Sequence, residues 1–120
     1  MRTLVMLLLA ALSLTGVASC SSTAGPQIDT TDATVVDVRT PAEFAEGHLQ
    51  GAVNINFQNE SGFLAGVRQL DRDGSYVLYC RSGNRSAAAT ARMRDLGFTD
   101  VTDAGGFDEA QSATGLEVVR

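Results

Sequence analysis

Cys80 stands at a junction whose residue types suit sulfur chemistry. Residues 76–79, Tyr-Val-Leu-Tyr, favour a strand; Cys80, Arg81, Ser82, Gly83, Asn84, Arg85 and Ser86 follow as a short polar loop; and the run from Ala87 to Met93 is rich in helix formers. Strand, loop and helix in that order put the thiol beyond the carboxyl end of a strand, where the first-turn N–H groups of the next helix lack intrahelical partners. An anion is welcome there. A thiol with a pKa near ~8.5 is only a few per cent ionised at neutral pH, and the thiolate is the competent nucleophile. Lowering that pKa by about two units requires about 2.7 kcal/mol of preference for the anion. A helix N-terminus supplies about 0.3–1 kcal/mol, rising to about 2 in partly buried geometry. Loop N–H groups converging on the sulfur, with the fixed charges of Arg81 and Arg85, are the natural source of the remainder. The stretch reads as an anion cradle around a sulfur nucleophile.

Two further segments accompany it. Asp37-Val38-Arg39-Thr40-Pro41-Ala42-Glu43-Phe44 runs into Gly47-His48-Leu49-Gln50-Gly51-Ala52, and Ala104-Gly105-Gly106-Phe107 lies near the end of the chain. With CRSGNRS these segments, in this order, resemble the single-domain rhodaneses, and among them the minimal periplasmic phage-shock type. The resemblance spans residues 35–118. It implies an α/β, three-layer domain with a mostly parallel four- to five-stranded sheet flanked by helices. It also implies sulfane-sulfur transfer through a Cys80 persulfide, from a small anionic donor such as thiosulfate to a thiol, protein thiol or cyanide. Carried onto this chain, Cys80 is the catalytic residue. Arg81, Ser82, Gly83, Asn84, Arg85 and Ser86 bind substrate, and Asp37 with Arg39 supports the loop. Asp37 is expected to hold that loop through hydrogen bonds. His48, the only histidine, is mainly structural in the family, and transfer to a preformed thiolate needs no base.

The elements that must position the loop are legible in outline. Residues 34–38 form a β-branched run typical of a buried parallel strand. Thr40, Pro41 and Glu43 read as N-cap, first helical residue and capping-box partner, which accounts for Glu43 without function. Residues 53–57 alternate as a short strand. Phe63, Leu64, Val67 and Leu70 recur at helical spacing, and Ala89, Met93 and Leu96 share one face of the helix after the loop, with Gly97 ending it. Residues 98–102 read as the last strand, and a short final helix is expected around residues 108–112. Gly105 and Gly106 suit a close backbone approach.

Length and composition bound the rest. A chain of 120 residues with 44% hydrophobic content has room for one small domain, and a monomer is expected. A net charge of -5, with all nine cationic side chains Arg, argues against a nucleic-acid partner. One His and one available Cys make no metal site, and no cofactor fingerprint is present.

The N-terminus reads as a targeting segment. Arg2, the apolar stretch from Leu4 to Leu14 and Val17-Ala18-Ser19-Cys20 resemble a bacterial lipoprotein signal, which implies lipidation at Cys20. Alternatives are ordinary secretory cleavage nearby or an uncleaved anchor, for which the apolar core is short. The boundaries are then a signal peptide over 1–19, a flexible tether over 20–33 and the rhodanese-like domain over 34–120. The protein would sit outside the cytoplasm in a bacterial envelope, anchored to a membrane by lipid on Cys20, or secreted or periplasmic without it. With Cys20 lipidated, Cys80 is an unpaired thiol in a disulfide-permissive compartment; a Cys20–Cys80 disulfide is the alternative. An unpaired thiol in a polar Gly/Arg loop is expected to be exposed and reactive.

Two other functions fit parts of the pattern. A noncatalytic persulfide-binding or redox-sensing module would use the same cysteine without turnover. Phosphatases and arsenate reductases of the same fold use a longer loop, with five residues between Cys and Arg; here Arg85 follows Cys80 after four.

Overall fold

The computed structural model describes residues 27–120. The chain runs β1 (Ala33–Asp37), α1 (Pro41–Glu46), β2 (His48–Leu49), β3 (Val53–Asn54), α2 (Glu60–Arg68), β4 (Ser75–Tyr79), α3 (Asn84–Asp95), β5 (Asp100–Asp103), α4 (Phe107–Thr114) and β6 (Val118–Val119). Four strands form a parallel sheet in the order β3-β1-β4-β5, and β2 pairs antiparallel with β6 as a separate ribbon. The α/β architecture with a four-stranded parallel sheet flanked by helices matches the expectation.

The layers follow from the two-residue period of the central strands. Val36, Val38, Tyr76, Leu78 and Cys80 share one core with Phe63 and Val67 of α2 and Ala89 and Met93 of α3. Val35, Val77 and Tyr79 point the other way, into a core with Leu49 of β2 and Ala110 of α4. β1 and β4 are covered on both faces, and Val35, Val36, Asp37 and Tyr76, Val77, Leu78 and Tyr79 are each more than nine-tenths buried, as the apolar runs predicted. Cys80, directly after β4, thus continues the inward alternation of that strand on the α2–α3 side.

Several boundaries differ from the expectation. The strand predicted over 53–57 pairs only at Val53–Asn54. Asn54 then turns its Nδ2 onto the carbonyls of Asp37 and Arg39 at 3.0 and 2.9 Å, and Asn56 Oδ1 accepts the Gln58 N–H at 3.0 Å in a side-chain turn that ends the extended run. The last parallel strand starts at Asp100 rather than residue 98, because Phe98 is drawn into the core edge-on to Tyr76 at 5.5 Å. The final helix covers Phe107–Thr114, longer than expected, and stops at Gly115 in a left-handed conformation (φ +70°). The pairing of β6 with β2 was not anticipated. Ahead of β1, Ile28 packs on the core beside Ala110, and its N–H donates to the Ala113 carbonyl at 2.8 Å. The residues 1–26, including Cys20, the signal region and the first half of the expected tether, lie outside the described residues.

Candidate functional site

The loop after β4 is built by backbone geometry. Gly83 adopts φ +101°, a left-handed conformation that favours glycine, and turns the chain into α3. That turn aims the Gly83 N–H at the Cys80 sulfur, 2.9 Å away. From the other side, the Ala104–Phe107 turn clamps the loop. Cys80 N–H donates to the Gly105 carbonyl at 3.1 Å, Phe107 N–H donates to the Arg81 carbonyl at 3.2 Å, and Ser82 pairs with Gly106 in an isolated antiparallel bridge. A Cβ on Gly106 would lie 2.9 Å from the Arg81 carbonyl oxygen, which gives the close approach expected of these glycines its physical reason.

Ser86, in the first turn of α3, is fully buried beside the thiol. Its Oγ lies 3.5 Å from Cys80 Sγ, 3.1 Å from the Gly83 carbonyl and 3.3 Å from the Gly105 carbonyl. Cys80 itself has 0% exposure. This corrects the expectation of an exposed thiol: the loop folds over the sulfur and the β4 register points it inward. Burial raises the Cys80 pKa, but the Ser86 hydroxyl and the N–H groups of Ser86, Gly83 and Ser82 outweigh it, and the thiol ionises below its ordinary range. The sulfur is buried among donors rather than in hydrocarbon alone. Such an arrangement of donors favours the thiolate over the thiol.

The remaining predicted residues divide. Ser82 and Gly83 contribute backbone N–H groups, while Asn84 opens α3 with an exposed side chain. Arg81 is largely solvated, with 69% of its side chain exposed. Arg85 faces the loop but is held by Glu43, with Nη1 donating to Oε1 at 2.8 Å and Nη2 to Oε2 at 3.1 Å. Arg81 Nη1 lies 3.8 Å from the same carboxylate. Glu43 also completes the predicted capping box of α1. The sequence reading assigned it only that capping role. A signal was present: Arg85 enters the positive end of α3, and that helix has no acidic residue in its first turn, so a carboxylate from elsewhere is favoured. The Arg85 hydrogen bonds come first among the causes that lower the Glu43 pKa to about 2, opposed by burial and aided by the bonds from Thr40.

Asp37 and Arg39 form a buried pair behind the loop. Arg39 Nε donates to both Asp37 oxygens at 3.0 Å, Nη2 to Oδ2 at 2.7 Å, and Nη2 also to the Gly47 carbonyl at 2.6 Å. The Arg39 N–H adds a bond to Asp37 Oδ1 at 2.9 Å. The side-chain hydrogen bonds of Asp37 thus go to Arg39 and not, as expected, to the Cys80 loop; the Arg39 guanidinium lies over the Phe107 ring at 4.7 Å and near the Tyr79 ring at 5.7 Å. Tyr79 OH accepts the Leu49 N–H at 3.0 Å, and burial pushes its pKa well up. His48 stacks on Phe44 at 3.6 Å, and its Nδ1 lies 2.9 Å from the Phe44 carbonyl, a structural place away from the sulfur.

Comparison with known proteins follows this geometry. Residues 24–113 match the Rhodanese-like domain family. Thiosulfate sulfurtransferase 16, chloroplastic, of Arabidopsis thaliana is 37% identical over 90 residues, covering 68% of this chain and 75% of that protein. Thiosulfate sulfurtransferase PspE of Escherichia coli (strain K12) is 31% identical over 74 residues, covering 62% of this chain and 70% of that protein. A solved structure described as rhodanese with anions from E. coli superposes with a TM-score of 0.61 at 27% identity, covering 73% of this chain and 98% of that one. The amide-lined cysteine loop after β4, the clamp from the double-glycine turn and these matches agree: the chain belongs to the rhodanese-like sulfurtransferase family and is a rhodanese-type enzyme.

Proposed function

We propose that the protein moves sulfane sulfur from thiosulfate or a similar donor to a thiophilic acceptor through a persulfide on Cys80. The observation that carries the reading is the Gly83 N–H at 2.9 Å from a thiol whose pKa is held low by its hydrogen bonds despite burial. In the first half-reaction the Cys80 thiolate attacks the outer sulfur of the donor. A new S–S bond forms, the donor's S–S bond breaks, and its electron pair leaves on sulfite. In the second, a thiol or cyanide attacks the outer persulfide sulfur and restores the thiolate. No external oxidant or reductant enters either step. The N–H groups that favour the thiolate equally favour the persulfide anion.

Arg81 is the exposed cation at the loop and the better placed to meet an anionic donor; Arg85 acts through its position beside the sulfur. The names of the relatives, thiosulfate sulfurtransferases, support the donor class. For the whole chain we carry forward the reading of a signal peptide over 1–19, a tether that starts at Cys20 and ends before Ile28, which packs on the core, and a lipid on Cys20 that anchors a monomeric domain outside the cytoplasm. No helix among the described residues is long and apolar enough to cross a membrane.

Steady-state thiocyanate formation from thiosulfate and cyanide tests the proposal. Wild type turns over and Cys80→Ser does not. Stoichiometric sulfur uptake without turnover with cyanide or thiols would replace the enzyme reading by a persulfide-binding module.

A further inference from the structure

Beside the loop lies a cleft of about 400 Å³ whose lining includes Arg39, Glu43, Glu46, Arg81, Phe107 and Asp108. Its charges favour a donor of lower charge over a dianion. The Arg39 guanidinium is matched by buried Asp37 at 2.7 Å, and Arg85 by Glu43 at 2.8 Å. Arg81, at 3.8 Å from Glu43, is the most exposed of these cations, while Glu46 and Asp108 add exposed carboxylates at the rim. Two guanidinium groups (Arg39, Arg81) and three carboxylates (Glu43, Glu46, Asp108) thus line the cleft, with Asp37 and Arg85 paired to Arg39 and Glu43 from outside that lining, before the Cys80 thiolate is counted. The Phe107 ring and Val118, the latter 42% exposed, give the cleft apolar surface that an inorganic dianion does not use.

Resting on the sulfurtransferase reading, we propose that Glu43 sets the charge of the donor. By clamping Arg85 with both carboxylate oxygens it removes a free cation from the mouth of the Cys80 loop, and it fits the site to organic sulfane-sulfur donors carrying one negative charge or none. Persulfides and thiosulfonates are such donors. With a thiosulfonate, the Cys80 thiolate attacks the outer sulfur, the S–S bond to the sulfonyl sulfur breaks, and the electron pair leaves on a sulfinate; charge and electrons balance as they do with thiosulfate. Glu43 is a positioning residue here, since it acts through Arg85. Its pKa of about 2 keeps the clamp ionised across the neutral range.

Glu43→Gln separates this role from helix capping, because Gln at the third helical position serves a capping box as Glu does, without the charge. Donor kcat/KM is measured with thiosulfate, a dianion, and benzenethiosulfonate, a monoanion, using cyanide as common acceptor; in a double-displacement reaction this constant reports the first half-reaction. Loss of one negative charge beside the donor raises kcat/KM on the order of tenfold for thiosulfate and about threefold for the monoanion. The thiosulfate-to-thiosulfonate ratio therefore rises about threefold in the variant, and the rise shrinks with added salt. An unchanged or lowered ratio overturns the proposal. Thr40→Ala, which removes the cap and keeps Glu43, is expected to lower thermal stability and leave the ratio unmoved; a ratio that moves equally in Thr40→Ala assigns the effect to helix capping and also overturns it. If neither donor loads wild-type Cys80, the sulfurtransferase reading itself fails, a result distinct from a ratio that does not move.

Discussion

Removing the Ser86 hydroxyl tests how the thiol is tuned. In the neutral state the Cys80 S–H points at Ser86 Oγ, 3.5 Å away, and the hydroxyl proton turns to the carbonyl of Gly83 at 3.1 Å or Gly105 at 3.3 Å. On ionisation the proton swings to the sulfur. A hydrogen bond to a charged group contributes about 1.5–3 kcal/mol and the carbonyl bond given up about 0.5–1.5, so the hydroxyl favours the thiolate by about 1 kcal/mol. Ser86→Ala therefore raises the Cys80 pKa. A loss of about 1 kcal/mol lowers the thiolate-to-thiol ratio about fivefold, but a more basic thiolate is the better nucleophile with a slope of about 0.4–0.5, so sulfur loading at pH below the midpoint slows only about two- to threefold. Neither carbonyl is orphaned, since Ala87 N–H still donates to Gly83 and Cys80 N–H to Gly105, both at 3.1 Å. The assay is the ultraviolet absorbance of the thiolate against pH, with Cys80→Ser as blank. A midpoint that stays in place or moves down would refute the reasoning.

Other substitutions probe the frame. Asp37→Asn leaves the buried Arg39 guanidinium without its carboxylate and costs about 3–5 kcal/mol; thermal unfolding should fall by more than 10 °C at about 4–8 °C per kcal/mol, and a drop of a degree or two would contradict the pair's role. Gly106→Ala sets a Cβ 2.9 Å from the Arg81 carbonyl oxygen; it is expected to cost about 1–3 kcal/mol and to slow sulfur loading, because the clamp on the loop must open. Thr90→Val replaces a buried hydroxyl that has no hydrogen-bond partner among the described residues; the midpoint of unfolding should rise by a few degrees, for about 1 kcal/mol, and a fall would show that the hydroxyl is satisfied.

Local patterns carried most of the fold and much of the candidate site. The strand-loop-helix around Cys80, the capping box at Thr40 and Glu43, and the close approach of Gly105 and Gly106 depend on neighbours in the chain, so residue types alone reveal them. What escaped was set by distant partners. β2 and β6 are two residues each, too short for any period to show, and their pairing joins His48 to Val119. Glu43 was explained by its cap, which hid the bond to Arg85 across 42 residues. The depth of Cys80 follows from the register of β4 against α2 and α3, a packing result that polar loop composition pointed away from.

The central claim is that one amide-cradled sulfur accepts a second. Intact-mass measurement of the purified protein before and after thiosulfate, without reductant, reads this directly. The account predicts a gain of one sulfur atom in wild type and none in Cys80→Ser. No gain in wild type, or an equal gain in both proteins, would contradict it.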